Sequence, residues 1–144
     1  MSTYLDASFV VSLYSPDGNY ANAANVVLTA QPPLIVSEWC ELEAVNSFRL
    51  RVFRKDATAS EAQRSQRELQ LDLEKGILQR SPMPDSFFLR AHHLSEQYTE
   101  QLGTRGAHII HVAAALELEA TAFYSFDVQQ RKLAAAVGLN VNPL

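Results

Sequence analysis

Three acidic residues stand where an α/β chain can gather reactive groups. Asp6 directly follows the short apolar stretch Thr3-Tyr4-Leu5, and Asp127 directly follows Tyr124-Ser125-Phe126. Glu43 falls on the helical segment that comes after Leu34-Ile35-Val36. In open α/β sheets ligand sites form outside the carboxyl ends of the strands, so these positions can converge. Carboxylates brought together repel one another unless a hard divalent cation shares them, and oxygen ligands of this kind suit Mg²⁺ or Mn²⁺. An ion held that way can activate water and stabilise charge on a phosphodiester. Each acid also has a plainer use. Asp6 can cap the helix expected to start near Ser8, Asp127 and Gln130 have the spacing of a capping box, and Glu43 alone can be a solvated helix residue. The spacing of the three acids does not decide between these uses.

The elements that must position them follow from periodicity and punctuation. Thr3 to Leu5, Leu34 to Val36 and Thr121 to Phe126 read as short buried strands, with weaker candidates at Ile77-Leu78 and Leu139 to Val141. Helices are expected after each. The first carries Phe9, Val10, Val11 and Leu13, with Ser8 as its cap and Ser15-Pro16-Asp17-Gly18 as its stop. The others run from Tyr20 to Ala30, from Ser37 to Arg54 with Leu42, Val45, Phe48 and Val52 as its apolar positions, and from Ser60 to Lys75 behind a Ser60-Glu61-Ala62-Gln63 capping box. A long helix capped by Asp85 should end at Gly103, His108 to Leu118 should form a central buried helix, and Val128 to Val137 should close at Gly138. Short apolar strands alternating with helices give a mostly parallel sheet covered on both faces, a Rossmann-like three-layer sandwich in one domain, 1–144.

Composition is consistent with such a domain. At 144 residues, 47% hydrophobic and 19% charged, the chain has a globular balance and needs no structural metal or disulfide to fold. The lone Cys40 cannot form an intrachain disulfide, which fits a reducing compartment. The first residues carry no basic leader, and no apolar run approaches the ~20 residues needed to span a bilayer, so a soluble, cytoplasmic protein with no membrane partner is expected. A formal charge of -4 argues against a surface that coats nucleic acid. It leaves open an enzyme acting on phosphodiesters, whose own site is acidic.

Four blocks in order resemble the PIN-domain proteins, above all the VapC-type toxins of toxin–antitoxin pairs. They are Tyr4-Leu5-Asp6-Ala7-Ser8, the stretch from Ser37 through Glu43, Asn46 and Phe48 to Leu50, Leu102-Gly103-Thr104-Arg105 leading into Ile110-His111-Val112-Ala113-Ala114-Ala115-Leu116, and Phe123-Tyr124-Ser125-Phe126-Asp127 with Gln130, Lys132-Leu133-Ala134 and Gly138-Leu139. Together they span nearly the whole chain. The resemblance implies a sheet of about five parallel strands and a ribonuclease dependent on Mg²⁺ or Mn²⁺ that cleaves RNA phosphodiester bonds. It also implies a homodimer and a small antitoxin protein that fills the active-site groove. Asp6, Glu43 and Asp127 align with three of the family's acidic positions.

One position departs from that pattern. The family supplies an Asp at the start of the buried helix where this chain has His108. Three readings follow: a degenerate PIN fold that binds RNA or protein without cleaving, a site in which His108 ligates and favours Mn²⁺ or a softer ion, or a weak Mg²⁺ site on the remaining three acids. Ser8, Ser125 and Asn46 are candidates to steady the carboxylates from a second layer. Thr104 and Arg105, and the basic run Arg49, Arg51, Arg54 and Lys55, are candidates to meet RNA phosphates, or else to solvate and pair with neighbours. His111 reads as a packed core histidine, His92 and His93 as surface or packing residues, and Cys40 as a buried, inert thiol.

Overall fold

A computed structural model describes all residues, 1–144. Its elements in chain order are β1 (Thr3–Leu5), α1 (Ala7–Tyr14), α2 (Tyr20–Val26), β2 (Leu34–Ser37), α3 (Glu38–Phe53), α4 (Ala59–Glu74), β3 (Gln79–Ser81), α5 (Phe87–Leu94), α6 (Glu100–Leu102), α7 (Gly106–Glu117), β4 (Ala122–Tyr124), α8 (Val128–Ala136) and β5 (Asn140–Val141). The five strands form one sheet in the order β3-β2-β1-β4-β5, and every pairing is parallel. This is the five-stranded parallel α/β architecture expected from the alternation of short apolar runs and helices.

Adjacent strand residues point to opposite faces of the sheet, and the two cores follow that alternation. Leu5, Val36 and Tyr124 pack with Phe9, Phe48 and Leu69 of α1, α3 and α4 on one face. Their neighbours Tyr4, Ile35 and Phe123 pack with Val112 and Leu133 of α7 and α8 on the other. Each central strand is therefore apolar on both sides, which is why it reads as a continuous run.

Several boundaries differ from expectation for local reasons. Asp6, not Ser8, caps α1, because its carboxylate accepts the Phe9 N–H at 2.9 Å. The capping box of α4 belongs to Thr58 and Glu61, so that helix begins before Ser60. Asp85 caps nothing: α5 starts at Phe87 behind Ser86 without a side-chain cap. The long helix expected from there is broken into α5, a π-type stretch over Ser95–Thr99 and α6, and it does end at Gly103, whose φ of 65° closes the turn that leads into α7. Strand β3 begins directly after Ile77-Leu78: Leu78 is buried in the core, but the pairing with β2 begins at Gln79. Leu42 is 61% exposed, and Cys40, Ala44 and Phe48 form the buried stripe of α3 instead.

Because β1, β2 and β4 run in parallel, their carboxyl ends share one edge of the sheet. Asp6 leaves β1 there, Ser37 leaves β2 into α3, and Ser125 leaves β4. The register sets Leu5 opposite Tyr124, and the Asp6 N–H donates to the Tyr124 carbonyl at 3.1 Å. Residues more than a hundred positions apart are thereby brought to one place.

Candidate active site

A cleft of about 640 Å³ opens at this edge. Its walls include Ser8, Glu43, Ser47, Arg51, His108, His111 and Asp127. Asp6 lies beneath the floor, fully buried.

The Asp6 carboxylate is caged by donors. Oδ1 accepts from the Ser8 hydroxyl at 2.7 Å and from the Phe9 N–H at 2.9 Å, and Oδ2 accepts from the Ser125 hydroxyl at 2.5 Å. Burial pushes the Asp6 carboxyl above the ordinary carboxylate range, against the opposing pull of His111, Ser125, Phe9 and Ser8. Asp6 is thus a helix cap whose carboxylate lies under the cleft rather than in its wall. Ser8 and Ser125 are also joined to the opposite strand end. The Phe126 N–H donates to Ser8 Oγ at 3.0 Å, and the Asp127 N–H donates to Ser125 Oγ at 2.9 Å.

Asp127 caps α8 through Oδ1, which accepts the Gln130 N–H at 2.9 Å. The return half of a capping box does not form, and the Gln130 side-chain oxygen is buried without a partner. Oδ2 of Asp127 lies 3.5 Å from His108 Nε2. On the other side of that ring, Nδ1 accepts the Arg105 N–H at 3.3 Å. Nδ1 therefore holds the lone pair, and a neutral ring carries its hydrogen on Nε2, toward the cleft. In this arrangement His108 offers the cleft a donor rather than a ligating nitrogen.

Glu43 is held by the second histidine. Its Oε1 lies 2.5 Å from Nε2 of His111, whose Nδ1 contacts the Tyr4 hydroxyl at 3.0 Å. His111 is buried as expected of a core histidine, but it is bonded at both nitrogens. Its i+3 spacing from His108 puts both rings in the cleft wall, each facing a different carboxylate.

The remaining candidates separate cleanly. Asn46 is exposed and absent from the cleft wall; Ser47, one helical turn after Glu43, stands there instead. Thr104 is buried and bonded to the Thr99 hydroxyl at 2.8 Å, and Arg105 is exposed and does not line the cleft. Of the basic run only Arg51 and Arg54 line the cleft; Arg49 is occupied with Gln63 and Gln66 of α4. Ser47, Leu50, Arg51 and Arg54 follow Glu43 at helical spacing, a periodicity that could have marked this wall from the sequence. Cys40 is buried with its thiol pushed up by burial, and its S–H donates to the Leu5 carbonyl at 3.2 Å.

Three carboxylates and two serine hydroxyls are an all-oxygen donor set, the chemistry a hard divalent cation prefers. No three His, Cys, Asp or Glu side chains stand close enough together to share an ion, so the match of Asp6, Glu43 and Asp127 to Mg²⁺ or Mn²⁺ is one of donor chemistry alone.

No protein-family model matches the chain, and no curated protein matches it in sequence. Solved structures do match. VapC20 of Mycobacterium tuberculosis, a toxin that cleaves the sarcin–ricin loop, superposes with a TM-score of 0.70 over 99% of this chain and 100% of its own, at 16% identity. The VapBC-1 structure from nontypeable Haemophilus influenzae gives 0.66 over 98% and 96% at 14% identity. VapBC2 from Rickettsia felis, bound to a fragment of its promoter DNA, gives 0.64 over 98% and 97% at 14% identity. The fold is that of the VapC-type PIN-domain toxins. Within the PIN fold of this chain the cleft lies at the carboxyl edge of β1, β2 and β4, where open parallel sheets carry their ligand sites.

Proposed function

We propose that this chain is a metal-dependent endoribonuclease, the toxin of a VapBC-like toxin–antitoxin pair, working as a cytoplasmic homodimer held in check by a small antitoxin protein. The observation that carries the reading is a cleft at the carboxyl edge of the sheet of a PIN fold, with Glu43 and Asp127 in its wall and Asp6 buried beneath its floor. Mg²⁺ or Mn²⁺ held by these carboxylates would supply a Lewis acid and a water of lowered pKa. Ser8 and Ser125 orient Asp6 and keep its charge solvated inside the protein. His111 fixes the reach of Glu43, and Asp127 is anchored by its cap on α8. Arg51 and Arg54, which take part in no ion pair, line the cleft where RNA phosphates would need cations.

A second reading rests on His108. With a nitrogen donor where the family has a carboxylate, the cleft has one hard ligand fewer, which favours a PIN fold that binds RNA or a protein partner without cutting. Both readings are tested by incubating the protein and a His108→Asp variant with labelled RNA under Mg²⁺ and, separately, Mn²⁺. Cleavage by the native chain that is lost on chelation supports the nuclease. Cleavage by His108→Asp alone identifies a silenced member with the rest of its machinery intact. No cleavage by either removes the nuclease reading and leaves the binding module.

A further inference from the structure

A continuous run of hydrogen bonds connects the start of α3 to the cleft through the middle of the protein. The Cys40 N–H donates to Ser37 Oγ at 3.1 Å, Ser37 Oγ meets the Tyr4 hydroxyl at 2.7 Å, that hydroxyl meets His111 Nδ1 at 3.0 Å, and His111 Nε2 meets Glu43. Ser37 and Tyr4 are fully buried and His111 nearly so. The run passes from α3 through the end of β2 to β1 and α7 and returns to α3 at Glu43.

The run can be ordered outward: Ser37 donates to the Tyr4 oxygen, Tyr4 donates to His111 Nδ1, and a ring hydrogen on Nε2 faces Glu43. Bonds arranged head to tail in this way strengthen one another.

Packing alone does not call for these groups. Tyr4 stacks on Phe123 with ring centroids 5.4 Å apart and planes 5° apart, contacts that a phenylalanine would make equally. Nor does Glu43 need a buried partner to be solvated, since its side chain is one-third exposed to the cleft. Two polar side chains are kept in an apolar core, and what they reach is a single carboxylate at the cleft.

We propose that Tyr4 and His111 are positioning residues for Glu43: with Ser37 they form a one-way hydrogen-bond relay that holds the carboxylate in one orientation at the cleft. The inference deepens the nuclease reading and rests on Glu43 belonging to that site, but the relay can be observed without any RNA.

The test is made on the full-length protein labelled with ¹⁵N in its histidines, read by its ring-nitrogen shifts, for the native chain, Tyr4→Phe and Glu43→Gln. His111 should carry its hydrogen on Nε2. Tyr4→Phe should shift Nδ1 toward the value of an unbonded nitrogen, and Glu43→Gln should shift Nε2. Hydrogen on Nδ1, or no response to either substitution, overturns the relay whatever an RNA assay gives. Where the native chain cleaves RNA, Tyr4→Phe should lower kcat ~10–100-fold, as loss of an outer partner of a site ligand does, with KM unchanged and with little further loss in a Glu43→Gln background. Unchanged kcat in Tyr4→Phe overturns the positioning role and leaves the run as core structure. Ring shifts that respond as expected in a protein that cuts no RNA uphold the relay on Glu43 and count against the nuclease reading alone.

Discussion

Asp6, beneath the cleft, and Glu43, in its wall, are held in opposite ways. Asp6 is sunk under the floor, and two of its three donors, Ser8 and the Phe9 N–H, come from its own helix turn. Glu43 stands in the wall, partly open to solvent, and its partner His111 is 68 positions away in sequence. The first carboxylate is fixed mainly by its neighbours, with Ser125 as its one distant donor, and the second by the fold. The contrast separates what a short sequence block can guarantee from what only the assembled sheet can supply.

The sharpest way to break the comparison is to neutralise each acid in turn. Glu43→Gln and Asp6→Asn are both expected to lower RNA cleavage by more than ~100-fold, beyond the usual cost of losing an outer partner. Their effects on stability should differ. Burial raises the Asp6 carboxyl, so the folded metal-free protein binds a proton more readily than the unfolded chain. Stability is then lost as pH rises from the ordinary carboxylate range through the raised folded value, and Asp6→Asn removes that loss. Melting temperatures in chelator at pH 4 and pH 7 should show the native chain weakening with pH relative to Asp6→Asn. Equal pH slopes in native and Asp6→Asn would contradict the raised carboxyl.

Smaller effects sharpen the same contrast. Ser125→Ala takes one donor from a fully buried carboxylate and should cost about 1–3 kcal/mol in denaturant unfolding. Asp127→Ala removes the cap of α8, for about 1 kcal/mol, because this carboxylate is partly exposed and loses little else. If Asp127→Ala cost more than Ser125→Ala, burial would not be what distinguishes the two. Smallest of all, Cys40 should show no reaction with a thiol reagent in the native state at neutral pH and full reaction after unfolding, since it is buried and its thiol is pushed up.

The same division governs what could be read in advance. The strands, the parallel sheet and the acids at its edge were legible because apolar runs and the residues that follow them are local signals. The cap of α1 went to Asp6 rather than Ser8 because both can cap and only the backbone decides which carboxylate or hydroxyl faces the free N–H groups. Asn46 lies three residues after Glu43 and is exposed, whereas the wall of the cleft follows the four-residue step to Ser47, a choice set by how α3 rotates its buried stripe of Cys40, Ala44 and Phe48 into the core. His111 was legible as a core residue but not as the partner of Glu43, since nothing within either segment indicates the other. Thr104 carries a hydroxyl that sequence leaves free, and the fold commits it to Thr99.

Tyr4 belongs at once to the stacked centre of the second core and to the run of hydroxyls that reaches Glu43. Substitutions at the cleft rim and at Tyr4 therefore differ in reach. A change at His108, on the rim opposite Asp127, alters what the cleft offers and leaves both cores as they are. Removing the Tyr4 ring would hollow the centre of the second core and cut the hydroxyl run to Glu43 at one stroke.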